Sequence, residues 1–185
     1  MLYYAYRLDE TDKKLQDFPQ LEIYSRFYGL SSKDLGLYAL SEHKIAGSVW
    51  IRLLKEDDKA EGFVDEKTPV LTIAVKPEFR KAGIGSAMLE QLFLEAGALF
   101  ESISVSVLNN EKTVKYFQKF GFVEVENSIS KNPVHGAEVI TMIKELPKER
   151  VVRPTAATTL ENGWIRNEPL DPHKRLKSLC LVLHQ

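Results

Sequence analysis

Cysteine is nearly absent from this chain, which contains Cys180 as its single example among 185 residues. One cysteine cannot form a disulfide within the chain, so an apolar core rather than cross-links must stabilise the fold. Sequences this poor in cysteine are typical of proteins that fold in a reducing compartment. The His, Cys and carboxylate residues also lack the spacing of metal ligands, so no metal is implied.

An excess of charge of one sign and a long hydrophobic run are lacking as well. The net charge is −1, whereas general nucleic-acid binders and membrane-surface binders are usually strongly basic. No apolar run approaches the roughly 20 residues that a membrane span needs. Residues 1–9 lack the basic start and apolar stretch of a signal peptide. These absences predict a cytoplasmic protein with neither a nucleic-acid nor a membrane partner.

What is present is a series of strand and helix patterns over the first 146 residues. Residues 69–75 are β-branched and almost wholly apolar, as in a central buried strand. Residues 101–108 alternate polar and apolar side chains, as in a half-buried strand. Further strands are predicted at 2–8, 35–40, 44–54, 122–125 and 137–143. Helices are predicted at 86–98 and 110–120, and Pro19 is expected to split a helical pattern over 11–30 into two.

The character of the sequence changes after Leu146. Residues 147–169 show no clear periodicity, and Asp171-Pro172 then resembles a helix start. Leu176, Leu179, Cys180 and Leu183 follow at helical spacing. We therefore predict a domain at 1–146 and an extension at 147–185 that ends in an amphipathic helix. The helix is expected to pack on its own domain, with pairing to a second copy as a homodimer as the alternative.

The segment between the buried strand and the strong helix carries the chemical signal. It reads Arg-Lys-Ala-Gly-Ile-Gly at residues 80–85. A helix start offers unpaired N–H groups and the positive end of the helix dipole, and glycines let a phosphate approach the backbone closely. A dinucleotide fingerprint would need glycine where Met88 stands, and a Walker loop would need Gly-Lys-Ser/Thr, which is absent. The remaining interpretations are a different phosphate site and a tight connection between the strand and the helix.

Residues 73–85 resemble the acyl-CoA-binding core of the GNAT N-acetyltransferase superfamily, whose loop pattern is Gln/Arg-x-x-Gly-x-Gly/Ala. Downstream, Asn110 and then Phe117-Gln-Lys-Phe-Gly121-Phe122 are similar to the family's Asn…Tyr-x-x-x-Gly-Phe. The resemblance covers about residues 1–146. It implies an α/β (α+β) fold with a mixed, mostly antiparallel central sheet flanked by helices, to which the sequence adds the C-terminal helical arm.

The resemblance also implies how acetyl-CoA is bound. Backbone groups of Ile73, Ala74 and Val75 would pair with the pantetheine arm, in a slot where the strands at 69–75 and 102–108 splay apart. An asparagine matching Asn110 would contact the CoA arm, and Phe117 lies on the helix that closes the site. The residues expected to hold the pyrophosphate are Arg80, Lys81, Ala82, Gly83, Ile84, Gly85 and Ser86.

The catalytic groups depart from the family pattern. Phe117 stands where a tyrosine often protonates the leaving thiolate, and Tyr116 is turned from it by about 100° on a helix. Tyr116 and Glu66 are the candidate catalytic residues. The other candidate bases are Asp65 and an acidic group in the same loop, whose alternative interpretation is solvated surface charge: Glu56, Asp57, Asp58 and Glu61. The predicted function is acetyl-CoA-dependent N-acetylation of a primary amine of a small molecule or protein. The alternative is a non-catalytic acyl-CoA-binding module.

Overall fold

The computed structural model describes residues 1–41 and 43–147, together with the backbone of two C-terminal strands. Its described residues form a nine-stranded sheet in the order β5-β7-β4-β3-β2-β1-β9-β8, with β6 beside β7. The β3–β4 and β1–β9 pairs are parallel and the other pairs are antiparallel. The mixed, mostly antiparallel sheet is therefore confirmed. The strands are β1 Leu35–Ser41, β2 Lys44–Arg52, β3 Val70–Val75, β4 Ser102–Leu108, β5 Val123–Glu124, β6 Ser130–Lys131, β7 Glu138–Glu145, β8 Trp164–Asn167 and β9 Ser178–Leu183.

Two helices cover one face of the sheet. Helix α2 spans Ile84–Ala96 and helix α3 spans Glu111–Gln118. The predicted inward face of α2 is confirmed, because its five apolar members are all buried: Met88, Leu89, Leu92, Phe93 and Ala96. Phe117 of α3 and Phe122 join this core through an edge-on ring contact with centroids 5.4 Å apart. The core anchors α2 and α3 beside β3 and β4.

The N-terminal segment covers the opposite face. It forms helix α1 at Leu2–Ala5 and short 3₁₀ helices at Leu8–Glu10, Leu15–Asp17 and Pro19–Tyr24. The strand predicted at 2–8 is therefore wrong, since the segment buries Leu2 and Leu8 against the face of the sheet rather than pairing with an edge. Aromatic residues favour strands only where a pairing edge is offered. Pro19 does interrupt the helical pattern, and it begins the last 3₁₀ helix.

The predicted C-terminal helix is wrong at Ser178–Leu183, where the chain forms β9. This strand runs parallel to β1, from the pair Gly36↔Ser178 to the pair Ser41↔Leu183. Residues 179–183 are continuously apolar, and such a short run fits a helix or a buried strand equally well. The edge of β1 offers backbone partners that decide between them. Residues 171–177, where the helix was predicted to begin, lie outside the described residues.

Candidate active site

The parallel pair β3–β4 comes apart part-way along its length. Its register contains only Val70↔Ser104 and Leu71↔Val105. On its other side, β3 pairs with β2 along its whole length, as far as Gly47↔Val75. The outer edge of β3 is therefore open after Leu71. This is the splayed slot that the family resemblance implied.

The alternation of backbone groups decides what β3 presents to this gap. The Lys76 N–H donates to the Ala46 carbonyl of the β2 side at 2.9 Å. Successive residues of a strand point their backbone groups to opposite neighbours, so Ala74 also faces β2 while Ile73 and Val75 face the gap. The Val75 carbonyl accepts a hydrogen bond of 3.0 Å from Arg80 Nε. Ile73 therefore presents its N–H and carbonyl groups to the gap, and Val75 presents its N–H group.

The start of α2 follows directly and is open to an anion. Gly83 is the N-cap with φ 80°, and no side chain caps the first N–H groups of this helix. A Cβ added at Gly83 would meet no atom within 4 Å, so glycine serves the backbone conformation and leaves the surface clear. The first turn holds no acidic residue, and Lys81 is exposed beside it. Uncapped N–H groups at a helix start suit a phosphate.

Tyr116 lies over this helix start rather than in the gap. Its hydroxyl is 3.3 Å from Ser86 Oγ, and a Cβ added at Gly85 would approach the same hydroxyl to 3.3 Å. Phe117, one residue later, is buried and lines the cavity in the gap. The expected difference in direction between these neighbours is confirmed. Tyr116 therefore contacts the first turn of α2.

Two predicted cofactor-binding side chains have partners within the protein. The Arg80 guanidinium contacts Asp9 at 3.0 Å and Glu10 at 2.7 Å, in addition to the Val75 carbonyl. Asn110 is the N-cap of α3, where its Oδ1 accepts the Thr113 N–H at 2.9 Å. Arg80 thus joins the loop before α2 to the N-terminal segment, and Asn110 fixes the start of the helix that carries Phe117.

A cavity of about 220 Å³ occupies the gap between β3 and β4. The N-terminal segment closes one side, and α3 and the loop before β7 close another. Its lining residues are Ala5, Tyr6, Arg7, Tyr24, Glu61, Val70, Leu71, Thr72, Ile73, Val105, Ser106, Val107, Leu108, Thr113, Phe117, Asn132 and Val139. The cavity therefore extends from the open edge of β3 to Glu61 and the N-terminal segment.

Comparison with family models matches residues 33–124 to the acetyltransferase (GNAT) domain. The chain carries a GNAT acetyltransferase domain. The matched segment contains β1 to α3, and hence the open edge of β3 and the glycine turn. Acetyltransferase chemistry in general follows from this family. Comparison with curated proteins gives no match.

Solved structures support the GNAT fold. An acetyltransferase of the GNAT family from Streptococcus pneumoniae is 20% identical, with a TM-score of 0.55 over 79% of this chain and 89% of that one. A GCN5-related N-acetyltransferase from Kribbella flavida is 18% identical, with a TM-score of 0.55 over 79% and 90%. A ribosomal-protein-alanine N-acetyltransferase from Brucella melitensis is 22% identical, with a TM-score of 0.53 over 74% and 82%.

The acidic loop before β3 of the GNAT domain divides into two environments. Glu66 is exposed and does not line the cavity. Asp65 is exposed as well; burial opposes its ionisation slightly, but hydrogen bonds from the Lys67 and Thr68 N–H groups hold the pKa of its carboxyl below the ordinary value. Asp65 therefore stabilises a turn, and the structure places the predicted base Glu66 outside the cavity.

Glu61 is the carboxylate that does line the cavity. Its Oε1 is buried without a hydrogen-bond partner, and burial raises the pKa of its carboxyl to about 7. The sequence contained a signal for this position, because Ala60 and Phe63 flank Glu61-Gly62 and both pack against the N-terminal core. The acidic residues on either side of Glu61 favoured the interpretation that the loop at 55–67 is exposed to solvent throughout.

Among the described residues, no group of three or more His, Cys, Asp or Glu side chains is placed to hold a metal ion. Within the same part of the chain, no helix has both the length and the apolar character needed to span a membrane.

Proposed function

We propose that this protein is an acetyl-CoA-dependent N-acetyltransferase that transfers the acetyl group to a primary amine of a small molecule or a protein. The observation that supports the proposal is the meeting of two open backbone sites. The edge of β3 directs Ile73 and Val75 into a gap, and the uncapped start of α2 lies a few residues further along the chain.

The residues present fit the two chemically distinct parts of acetyl-CoA. The pantetheine arm contains amide groups, which need donors and acceptors of the kind that an unpaired strand edge offers. The pyrophosphate needs N–H donors and positive charge, which the backbone at residues 83–86 and Lys81 provide. When it is bound, acetyl-CoA supplies an acetyl group as a thioester, which an amine can attack directly.

The contribution of the chain is orientation and shielding. The cavity begins where β3 separates from β4. The end of a pantetheine arm bound along β3 would therefore lie inside the cavity. Phe117 and the aliphatic lining of β3 and β4 exclude water from that end, which favours attack by an amine over hydrolysis. The proposal needs no covalent intermediate on the protein.

A non-catalytic acyl-CoA-binding module is the second candidate, and Phe117 favours it. This buried side chain has no proton to give to a leaving thiolate. Release of CoA thiol with a panel of primary amines separates the two functions. Steady release supports the enzyme, whereas saturable acetyl-CoA binding without release from any amine supports the module.

Binding of acetyl-CoA is tested by thermal melting. At a concentration 100 times its Kd, a ligand that binds only the folded state adds about 2.7 kcal/mol of stability. We expect this stabilisation in the parent chain and its loss in Gly83→Leu, because the new side chain would occupy the open surface above the helix start.

Gly136→Leu is the matched control, since Gly136 also has positive φ (65°) and an added Cβ there would meet no atom within 4 Å. Both variants strain the backbone, but the control should keep the full response to acetyl-CoA. A parent chain that acetyl-CoA does not stabilise would contradict the proposed function.

A further inference from the structure

The position of Glu61 is fixed by the glycine that follows it. Gly62 has φ 81°, and a Cβ added there would lie 2.9 Å from the Ser106 nitrogen and 3.2 Å from the Val105 carbonyl carbon. Only glycine allows the loop to press this closely against β4. Val105 is the last β4 residue paired with β3. The close approach therefore holds Glu61 at the apex of the gap, where the two strands separate.

Tyr24 contacts Glu61 on its other side, and Tyr6 packs against Tyr24. The Tyr24 hydroxyl donates to the Glu61 backbone carbonyl at 3.1 Å. The ring of Tyr6 lies against that of Tyr24, with centroids 5.8 Å apart. Glu61 lines the cavity, and the Oε1 of its carboxyl group is buried without a partner. A buried oxygen of this kind is costly unless a donor reaches it, so the site is built for a donor supplied by a ligand.

The charges around the cavity favour a cation as that donor. Arg7 and Glu61 are the two charged residues of the lining. Arg7 is paired with Glu10 through Nη1 and Oε1 at 3.1 Å. The other titratable groups that face Glu61 are Tyr6 and Tyr24, whose pKa values burial raises, so both stay neutral. The lining residues from β3, β4 and α3 carry no charge, which leaves Glu61 without a competing cation.

We propose that Glu61 binds the ammonium group of the acceptor and takes its proton, and that the acceptor is an aliphatic primary amine whose alkyl chain carries no carboxylate. This inference rests on the proposed function. The rings of Tyr6 and Tyr24 flank the alkyl chain of the acceptor. A carboxylate on that chain would be repelled by the carboxylate of Glu61.

The proposed step balances without a further reactant. Glu61 accepts one proton from the ammonium, which leaves a neutral amine with a lone pair. That lone pair forms the bond to the acetyl carbon, and the carbon–sulfur bond breaks with its electron pair on sulfur. The second proton lost by nitrogen goes to this sulfur, and Glu61 later returns its proton to water. The products are the amide and CoA thiol.

Glu61→Gln tests the assignment, because it keeps the shape of the side chain and removes its capacity to accept a proton. The rate of thiol release from acetyl-CoA is measured with n-butylamine between pH 5.5 and 9. In the parent chain, kcat/KM should rise through a pH near 7. In the variant this rise should be lost and kcat/KM at pH 8 should fall by about 10²- to 10⁴-fold, the usual contribution of a positioned base.

Stabilisation by acetyl-CoA should be unchanged in Glu61→Gln, which separates loss of the base from loss of the cofactor site. Glu56→Gln is the matched control, since Glu56 is exposed in the same loop, and it should behave as the parent. 4-Aminobutyrate is the matched anionic acceptor and should react at least 10-fold less efficiently than n-butylamine.

Three results would overturn the inference. They are an unchanged pH profile in Glu61→Gln, equal use of 4-aminobutyrate, and no turnover of n-butylamine by a parent chain that acetyl-CoA stabilises. A parent chain that acetyl-CoA fails to stabilise would instead overturn the proposed function, and the inference with it.

Discussion

Gly62 and Gly83 both have positive φ, but they meet different surroundings. Gly83 faces open space and Gly62 faces the backbone of β4. Gly83 is therefore required only for its backbone conformation. Gly62 is required both for its backbone conformation and because no side chain fits there. The distinction matters because Gly83 belongs to the proposed phosphate site, whereas Gly62 sets the depth of Glu61.

Gly62→Ala should be destabilising beyond the cost of positive φ. A left-handed conformation costs a non-glycine residue about 1–2 kcal/mol, and the added methyl must also displace backbone 2.9 Å away. We expect a loss of about 2–4 kcal/mol in the free energy of unfolding, measured by urea denaturation.

Gly136→Ala carries the conformational cost alone, because nothing lies within 4 Å of its Cβ position. Its loss should stay near 1–2 kcal/mol. Equal losses in the two variants would show that the approach of the loop to β4 is not a constraint.

At the scale of elements, one side chain connects the N-terminal segment to the phosphate loop. Arg80 binds Asp9 and Glu10 of the segment, and it also binds the carbonyl at the end of β3. The segment in turn supplies Tyr6 to the cavity. The same guanidinium therefore joins the end of β3 to the segment that supplies Tyr6 to the cavity.

Asp9→Asn should weaken this connection, since it removes a charge from a largely buried pair at 3.0 Å. Hydrogen bonds to charged groups contribute about 1.5–3 kcal/mol. The side-chain amide of the Asp9→Asn variant can still accept a hydrogen bond from Arg80, so only part of this energy is lost. We expect the free energy of unfolding to fall by about 1–2 kcal/mol in urea denaturation.

Asp12→Asn is the control on the same segment, because Asp12 is exposed. Its effect should remain within about 0.5 kcal/mol. Similar effects of the two substitutions would contradict a structural role for the Arg80 connection.

The sequence predicted well those elements whose own pattern of polar and apolar residues shows which side is buried. The buried run of β3 and the apolar stripe of α2 match the sheet and the core, whereas β4 is a strand as predicted but buries Ser104 of its polar face. The N-terminal strand and the C-terminal helix were wrong because their partners decide their structure. Leu2 and Leu8 pack onto the face of the sheet, and Ser178–Leu183 pair with β1. Neither surface is visible in the local pattern.

The candidate site divides in the same way. The open edge of β3 and the glycine turn follow from a contiguous motif, so a resemblance could locate them. The position of Glu61 depends on segments far apart in the chain: Tyr24 donates to the Glu61 backbone carbonyl, and the backbone of β4 lies against Gly62. Within the loop, the apolar neighbours Ala60 and Phe63 are the local signal that separates Glu61 from the exposed Glu66.

At the scale of the whole molecule, Glu61 should make stability depend on pH. Its pKa is about 7 in the folded chain, against 4.5 ordinarily. Between these values the folded chain holds a proton that the unfolded chain releases, so the free energy of unfolding falls as pH rises. Glu61→Gln should remove this fall and become more stable relative to the parent between pH 4.5 and 7.5.

Urea denaturation of both chains at several pH values measures the effect, and the difference between the chains isolates Glu61 from other titrating groups. Glu56→Gln should follow the parent at every pH because Glu56 is exposed. A difference between Glu61→Gln and the parent that does not change with pH would show that Glu61 ionises as readily in the folded chain as in the unfolded one.

The open edge of β3 has a consequence for how freely this sequence can diverge. Ile73 and Val75 present N–H and carbonyl groups to the gap, and every residue except proline has both. Recognition through such groups places little demand on which side chains the strand carries. The break between two strands can therefore persist while the side chains around it are exchanged, because the break depends on strand pairing rather than on the identity of those side chains.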